Sequence, residues 1–257
     1  MHRQLLLLLA LAVLCACKPP AGPGPSDAPA VASAPASAAA TRIEADVRTL
    51  ADDRMEGRDT GTRGYDLAAE YVARRYAEIG LAPAGDDGTF FQHVPLLKAV
   101  REREGAAFSI QRGGRTTSLA FLDQFLPGVN YNAPTHTLTA PAVFVGQAVR
   151  APELGQDDFA GVDVRGKIAV LFSGAPKRFD TDRRAYYAHS AQKLQLLSDL
   201  GAVGVVIVGT PESEKRGSWK SSAAKWDMPG MRLRNADGTG LDTFPRLRAS
   251  ASISADA

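Results

Sequence analysis

The sequence predicts an α/β fold, and three observations carry that expectation. Two apolar runs, residues 168–172 (IAVLF) and 203–209 (VGVVIVG), flank a stretch with apolar residues at helical spacing. That is the pattern of a strand–helix–strand unit whose parallel strands are covered on both faces. Earlier in the chain Tyr65, Ala68, Val72, Tyr76 and Ile79 recur at three- and four-residue steps, predicting an amphipathic helix. Between the two lie short β-rich segments. With 257 residues and 45% hydrophobic content, the chain can build one large domain or two small ones.

The elements follow in order from the N-terminus. His2 and Arg3 precede LLLLLALAVLCAC, an apolar stretch shorter than the roughly 20 residues a spanning helix needs, so residues 1–17 read as a secretion signal. The stretch ends in LCAC, which resembles a bacterial lipobox. That resemblance implies that Cys17 is lipidated and becomes the mature N-terminus, anchoring the protein to a membrane of the cell envelope, facing periplasm or exterior. Two or more acyl chains anchor stably. The alternative is ordinary signal cleavage near Ala16, leaving an unmodified thiol. Lys18 stands where an aspartate marks inner-membrane retention in some bacteria, which points toward the outer membrane. Cys15 and Cys17 both lie within the signal, so the remaining chain is expected to fold without a disulfide. Residues 18–40 are rich in Pro, Ala and Ser, cannot offset their own ordering entropy, and read as a tether.

Residues 41–134 form the first expected folded portion. Ile43, Val47 and Leu50 predict a short helix over 43–50, and a loop with Gly57, Gly61 and Gly64 leads into the helix over 65–79. Asp66 sits in that helix's first turn, and Gly80 is placed to end it in the left-handed region. Residues 89–97 have strand composition, and residues 107–121 read as a hairpin turning at Gly113 and Gly114. Residues 135–257 form the second portion. A strand is expected from Val143, then strand 168–172 after a turn at Gly166. A helix follows with Tyr187, Ala191, Leu194, Leu197 and Leu200 on one face and Gly201 past its end. After strand 203–209, residues 247–253 predict a last strand, with Ser254 in an N-cap position and no helix after it. A core layer left half built there leads us to expect a fragment of a longer product.

Lys and Arg number 30 and Asp and Glu 28, so the net charge of +2 gives no general attraction to nucleic acid or anionic membranes. The three glycines of the early loop fit neither a Walker loop nor a dinucleotide fingerprint, which need other spacings. They read instead as a connection between packed helices, with Arg58 and Arg63 solvated or paired with Asp52, Asp53 or Glu56. No G-x-S-x-G is present, and Ser173 in LFSGA reads as a turn residue. His2, His93, His136 and His189 form no H-E-x-x-H or H-x-D, so no catalytic or metal-binding residue is assigned. The segment 214–234 interleaves Trp219 and Trp226 with Lys215, Arg216, Lys220, Lys225 and Arg232, a composition that can stack on single strands. In an exported, tethered protein it reads better as a long loop whose tryptophans dock on a neighbouring surface, so no nucleic-acid partner is expected.

Two stretches carry a family resemblance. Residues 50–96, with Met55, Gly57 and Arg58, then Gly80, Leu81 and Pro83, then Phe91 and Gln92 before His93, resemble the N-terminal region of secreted two-zinc aminopeptidases. That family also includes the ectodomains of glutamate carboxypeptidase and the transferrin receptor. Residues 161–209, with the run from Asp163 to Leu171 and the helix and strand from Lys193 to Ile207, together with 247–257, resemble the protease-associated (PA) domain inserted in such enzymes. The resemblance implies a zinc-peptidase α/β sheet domain begun by residues 41–134 and a PA-type β/α domain over 135–257. It also implies peptide substrates and two zinc ions held by a His-x-Asp, a bridging Asp, paired Glu, a further acid and a late His. None of these ligands can be placed on this chain, so whether it is itself an enzyme stays open, and the chain alone is expected to be inactive. The rival reading is a non-catalytic PA-domain lipoprotein that acts as a binding module.

Overall fold

The computed structural model describes residues 37–257. The signal, the lipidation site Cys17, His2 and most of the expected tether lie outside the described residues. The chain divides into two compact units, one ending at Gln92 and the other spanning His93–Ala257. Strands that the sequence assigned to the first portion therefore belong to the second unit.

In the first unit, α1 (Ala38–Leu50) begins five residues before Ile43, because Ser37 caps it by accepting a hydrogen bond from the Ala40 N–H at 3.2 Å. The glycine loop contains a 3-10 turn, Asp53–Arg58, and leads into α2 (Arg63–Ile79), which Gly80 ends at φ 88° as expected. Gly64, in the first turn of α2, is buried against that 3-10 turn: a Cβ there would collide with the Met55 carbonyl oxygen. Arg63 pairs with Glu56, and Asp52 pairs with Arg54 at 2.8 Å. Asp46 joins the helices, accepting from the Tyr71 hydroxyl at 2.6 Å and from Arg75 Nε at 2.7 Å. The apolar stripes are less covered than their periodicity implies, since Ile43 and Ile79 are each 63% exposed.

In the second unit the short strands β1 (Leu96–Ala99), β2 (Phe108–Arg112), β3 (Arg115–Leu119) and β4 (Phe125–Pro127) precede β5 (Ala142–Phe144). The small pair β6 (Arg150–Ala151) and β7 (Gln156–Asp157) comes next, then β8 (Ile168–Phe172), α3 (Thr181–Ala188), α4 (Ser190–Asp199) and β9 (Gly204–Val208). The chain continues through α5 (Pro211–Arg216), α6 (Trp219–Ala223) and β10 (Gly230–Leu233) to β11 (Ala249–Ile253). The central sheet has the order β4-β11-β9-β8-β5, parallel except for β4, which runs antiparallel to β11.

The apolar runs of β8 and β9 alternate between two cores, as a strand period of two requires. Ala169, Leu171 and Val205 pack with Leu197 of α4 on one face. Ile168, Val170, Val206 and Val208 pack on the other with Phe125, Ile253 and Leu119, the last at the end of the β2–β3 hairpin. This is the expected α/β unit with a mostly parallel sheet.

Three expectations need correction. Residues 89–97 are not one strand, because only Leu96–Ala99 pair, with β10. The helix read over 187–200 is two helices, broken at His189, whose ψ of 126° is extended. The long loop after β9 contains α5, α6 and β10. Ser254, after which the sequence shows no helix, is buried, and its N–H donates to the Gln124 carbonyl at 2.9 Å.

Candidate functional site

The carboxyl ends of parallel strands are where α/β sheets open to ligands, because the loops that follow the strands diverge there. At the ends of β8, β9 and β11 lies a cleft of about 210 Å³, walled by Ser173, Gly209, Glu214, Trp219, Ser222 and Ser252 among others. Three local devices build it. Gly209 follows β9 and donates its N–H to the Ile253 carbonyl at 2.7 Å; a Cβ on it would sit 2.9 Å from both Glu214 Oε1 and the Ala255 nitrogen. That vacancy lets the Glu214 carboxylate reach the Ala255 N–H, with Oε1 accepting at 2.7 Å.

Helix α5 holds Glu214 in place. Thr210 and Ser213 form a reciprocal cap, Thr210 Oγ1 accepting from the Ser213 N–H at 3.1 Å and Ser213 Oγ from the Thr210 N–H at 2.9 Å, and Pro211 opens the first turn. Trp219 opens α6 behind the Ser218 cap, and its indole N–H donates to the Leu122 carbonyl at 2.6 Å. Trp226 meets Phe121 edge-on at 5.4 Å. Both tryptophans therefore dock on the Phe121–Leu122 turn of their own unit.

Glu214 is the one charged residue lining this cleft. Of the cations near α5, Lys177 pairs with Glu212 at 2.8 Å and Arg216 approaches the same carboxylate at 3.9 Å. The cleft thus presents one carboxylate, an aromatic ring and several hydroxyls.

Behind the cleft lies a buried charge. Lys193 of α4 is 7% exposed, and its Nζ donates to the Gln147 carbonyl in the loop after β5. Burial pushes its ammonium down to about 8, opposed by the nearby Asp158 carboxylate. Asp158 Oδ2 accepts from the N–H groups of Gln147 at 2.9 Å and Val149 at 3.0 Å, and Gln147 Nε2 reaches the Ser173 carbonyl at 3.2 Å. This network fixes the loop and the wall of the cleft at Ser173. A second hollow of about 370 Å³ is lined by Glu153, Asp182, Arg183, Tyr186 and Tyr187. There the Tyr187 hydroxyl donates to Glu153 at 2.9 Å, and burial, with Glu153 second, raises that phenol.

Of the residues weighed in the sequence, Ser173 lies at the cleft, directly after β8. His93 precedes β1 outside any strand, His136 lies with its Nδ1 3.1 Å from Asn130 Nδ2, and His189 is the exposed break between α3 and α4. Among the described residues no group of three or more His, Cys, Asp or Glu side chains is arranged to hold a metal ion. The described residues thus offer no fit for the zinc pair that the resemblance implies. Among the same residues no helix is long and apolar enough to cross a membrane. Glu214 was absorbed into the basic segment in sequence; the Thr210, Pro211 and Ser213 pattern just before it was the available sign of a capped helix.

No curated protein matches the chain. Residues 131–241 match the family model of the PA domain, so this part of the chain, which holds β5 to β10, is a protease-associated domain.

Proposed function

We propose that these residues form the scaffold and PA-domain portion of a zinc aminopeptidase that is lipid-anchored at Cys17 in the cell envelope and releases N-terminal residues from peptides. The observation that carries the reading is the PA-domain match over residues 131–241. It is supported by the Met55–Gly57–Arg58 loop and the helix ended by Gly80, which resemble the beginning of such a peptidase and which pack together in the structure. In this reading the metal-binding residues lie elsewhere in the protein. The PA domain shapes access to them, and its rigid sheet holds the cleft walls in place.

The test is hydrolysis of an aminoacyl anilide by the gene product isolated from its own envelope, compared with the 257-residue chain. The envelope product is expected to turn over, to lose activity on chelation and to regain it with zinc, while the 257-residue chain is expected to be inert. An envelope product that never hydrolyses the anilide, with or without zinc, overturns the peptidase reading in favour of a binding module.

A further inference from the structure

We propose that the cleft at the carboxyl ends of β8, β9 and β11 is a binding site for a primary ammonium group, held by Glu214 and Trp219. The inference rests on the cleft alone and does not depend on the peptidase reading.

Glu214 is the single charged side chain lining the cleft, and among the described residues no cation pairs with it. Its Oε1 is committed to the Ala255 N–H at 2.7 Å, so the carboxylate is oriented before any ligand arrives. A carboxylate held this way in a partly enclosed space favours a cation that can donate hydrogen bonds. An anion would meet repulsion from Glu214 with no opposing cation in the wall.

The second partner is aromatic. Trp219 lines the same cleft with its indole N–H spent on the Leu122 carbonyl, which fixes the ring and leaves it no N–H to donate to a ligand. A cation over an indole face is attracted by the ring quadrupole, and tryptophan is the strongest of the aromatic partners. The hydroxyls of Ser173, Ser222 and Ser252 supply acceptors for the remaining N–H bonds of an ammonium. At about 210 Å³ the cleft suits a small head group rather than a whole side chain with its backbone.

Gly209 completes the geometry. Its missing side chain is what allows the Glu214 carboxylate to settle against the Ala255 N–H, so the acid is built into the end of the sheet. An ammonium of this kind reaches the cleft from a peptide N-terminus or from a lysine side chain.

The experiment follows the indole Nε1–H resonance of Trp219 by NMR in the full chain. Three probes are titrated: tri-alanine amide with a free N-terminus, N-acetyl-lysine amide, and N-acetyl-tri-alanine amide. A saturable shift with the first alone assigns a peptide N-terminus, with the second alone a lysine side chain, and with both a general ammonium site. The neutral acetylated peptide is expected to give none. Glu214→Gln keeps the acceptor for Ala255 and is expected to weaken binding about tenfold or more by removing the charge. Ser222→Lys, on the exposed side of α6, places an ammonium beside Glu214 and is expected to block the probes without touching the core. The inference is overturned by equal binding to Glu214→Gln, by an equal shift with the neutral peptide, or by no shift from either amine up to the order of 10 mM.

Discussion

The indole N–H of Trp219 donates to the carbonyl oxygen of Leu122 at 2.6 Å, across 97 positions of the chain. This bond ties α6 to the turn before β4, and therefore to the edge of the sheet that β4 forms with β11. Trp219→Phe keeps the ring and removes the donor. The expected cost is about 1 kcal/mol of unfolding free energy, because the Leu122 carbonyl loses its partner in a half-buried setting. Trp226→Phe keeps the edge-on contact with Phe121 and is expected to stay within about 0.5 kcal/mol of the native protein. Urea midpoints of the two variants separate these outcomes, and equal midpoints would remove the special role of Trp219.

The glycine loop contains two glycines that do different things. Gly64 is a packing glycine, since a Cβ there meets the Met55 carbonyl and lies 2.9 Å from Glu56 Cβ. Gly57 stands in open space at φ 73° and matters only for its backbone angle. Gly64→Ala is expected to destabilise the first unit by about 2 kcal/mol or more through overpacking, and Gly57→Ala by about 1 kcal/mol through strain. Amide exchange in α2 reads both. Equal protection in the two variants would show that the contact at Met55 relaxes without cost.

Anchoring has its own test. If Cys17 carries lipid, Cys17→Ser is expected to abolish incorporation of radiolabelled palmitate and to move the protein from the membrane fraction to the soluble one. A wild-type protein that takes up no label, with a mature N-terminus at residue 17 or nearby, establishes ordinary cleavage instead.

The sheet was readable in the sequence where both of its faces are covered. Val205 to Val208 is uninterrupted apolar sequence because alternate residues enter two different cores, so neither neighbour can be polar. The PA part of the resemblance rested on the same stretch. The break at His189 was invisible because Tyr187, Ala191 and Leu194 keep helical spacing across it; a single extended ψ leaves the period almost unchanged. The β1–β10 pair was missed for another reason. Leu96 meets Leu233 across most of the second unit, and neither strand carries an alternating pattern that announces a partner. The cleft was illegible because it depends on Gly209 lacking a side chain at the very point where Glu214 meets the Ala255 N–H, a coincidence of three separate segments.

Asp46 makes the link between α1 and α2 sensitive to acid. The Arg75 guanidinium, followed by the Tyr71 hydroxyl, holds its carboxyl below the ordinary 3.8. A depressed folded value means that the unfolded chain takes up the proton first as pH falls. The stabilisation is therefore complete above about pH 3.8 and is lost as pH drops through the lower folded value. Asp46→Asn is expected to loosen α1 at neutral pH and to flatten this acid dependence. Amide exchange along α1 from pH 6 to 3 measures it, and an unchanged profile in the variant would assign the docking of α1 to other contacts.

Lys193 produces a dependence of the same sign, but at alkaline pH. Its ammonium is pushed from the ordinary 10.5 down to about 8 because burial under the β5 loop removes water, and the Asp158 carboxylate recovers only part of that loss. Below about pH 8 the lysine is charged in both states, and the folded protein bears the full cost of a buried ammonium. Between about 8 and 10.5 the folded state has released its proton while the unfolded state still holds one, so stability rises with pH across that window. The gain is on the order of 3 kcal/mol for a single group shifted this far. Lys193→Met removes the titrating group, although it also removes the hydrogen bond to the Gln147 carbonyl. The difference in unfolding free energy between wild type and variant, taken from urea titrations at pH 7, 8, 9 and 10, cancels the other groups that titrate there. That difference is expected to move in favour of the wild type as pH rises. A flat difference would show that the ammonium is solvated in the folded protein and does not feel the loop above it.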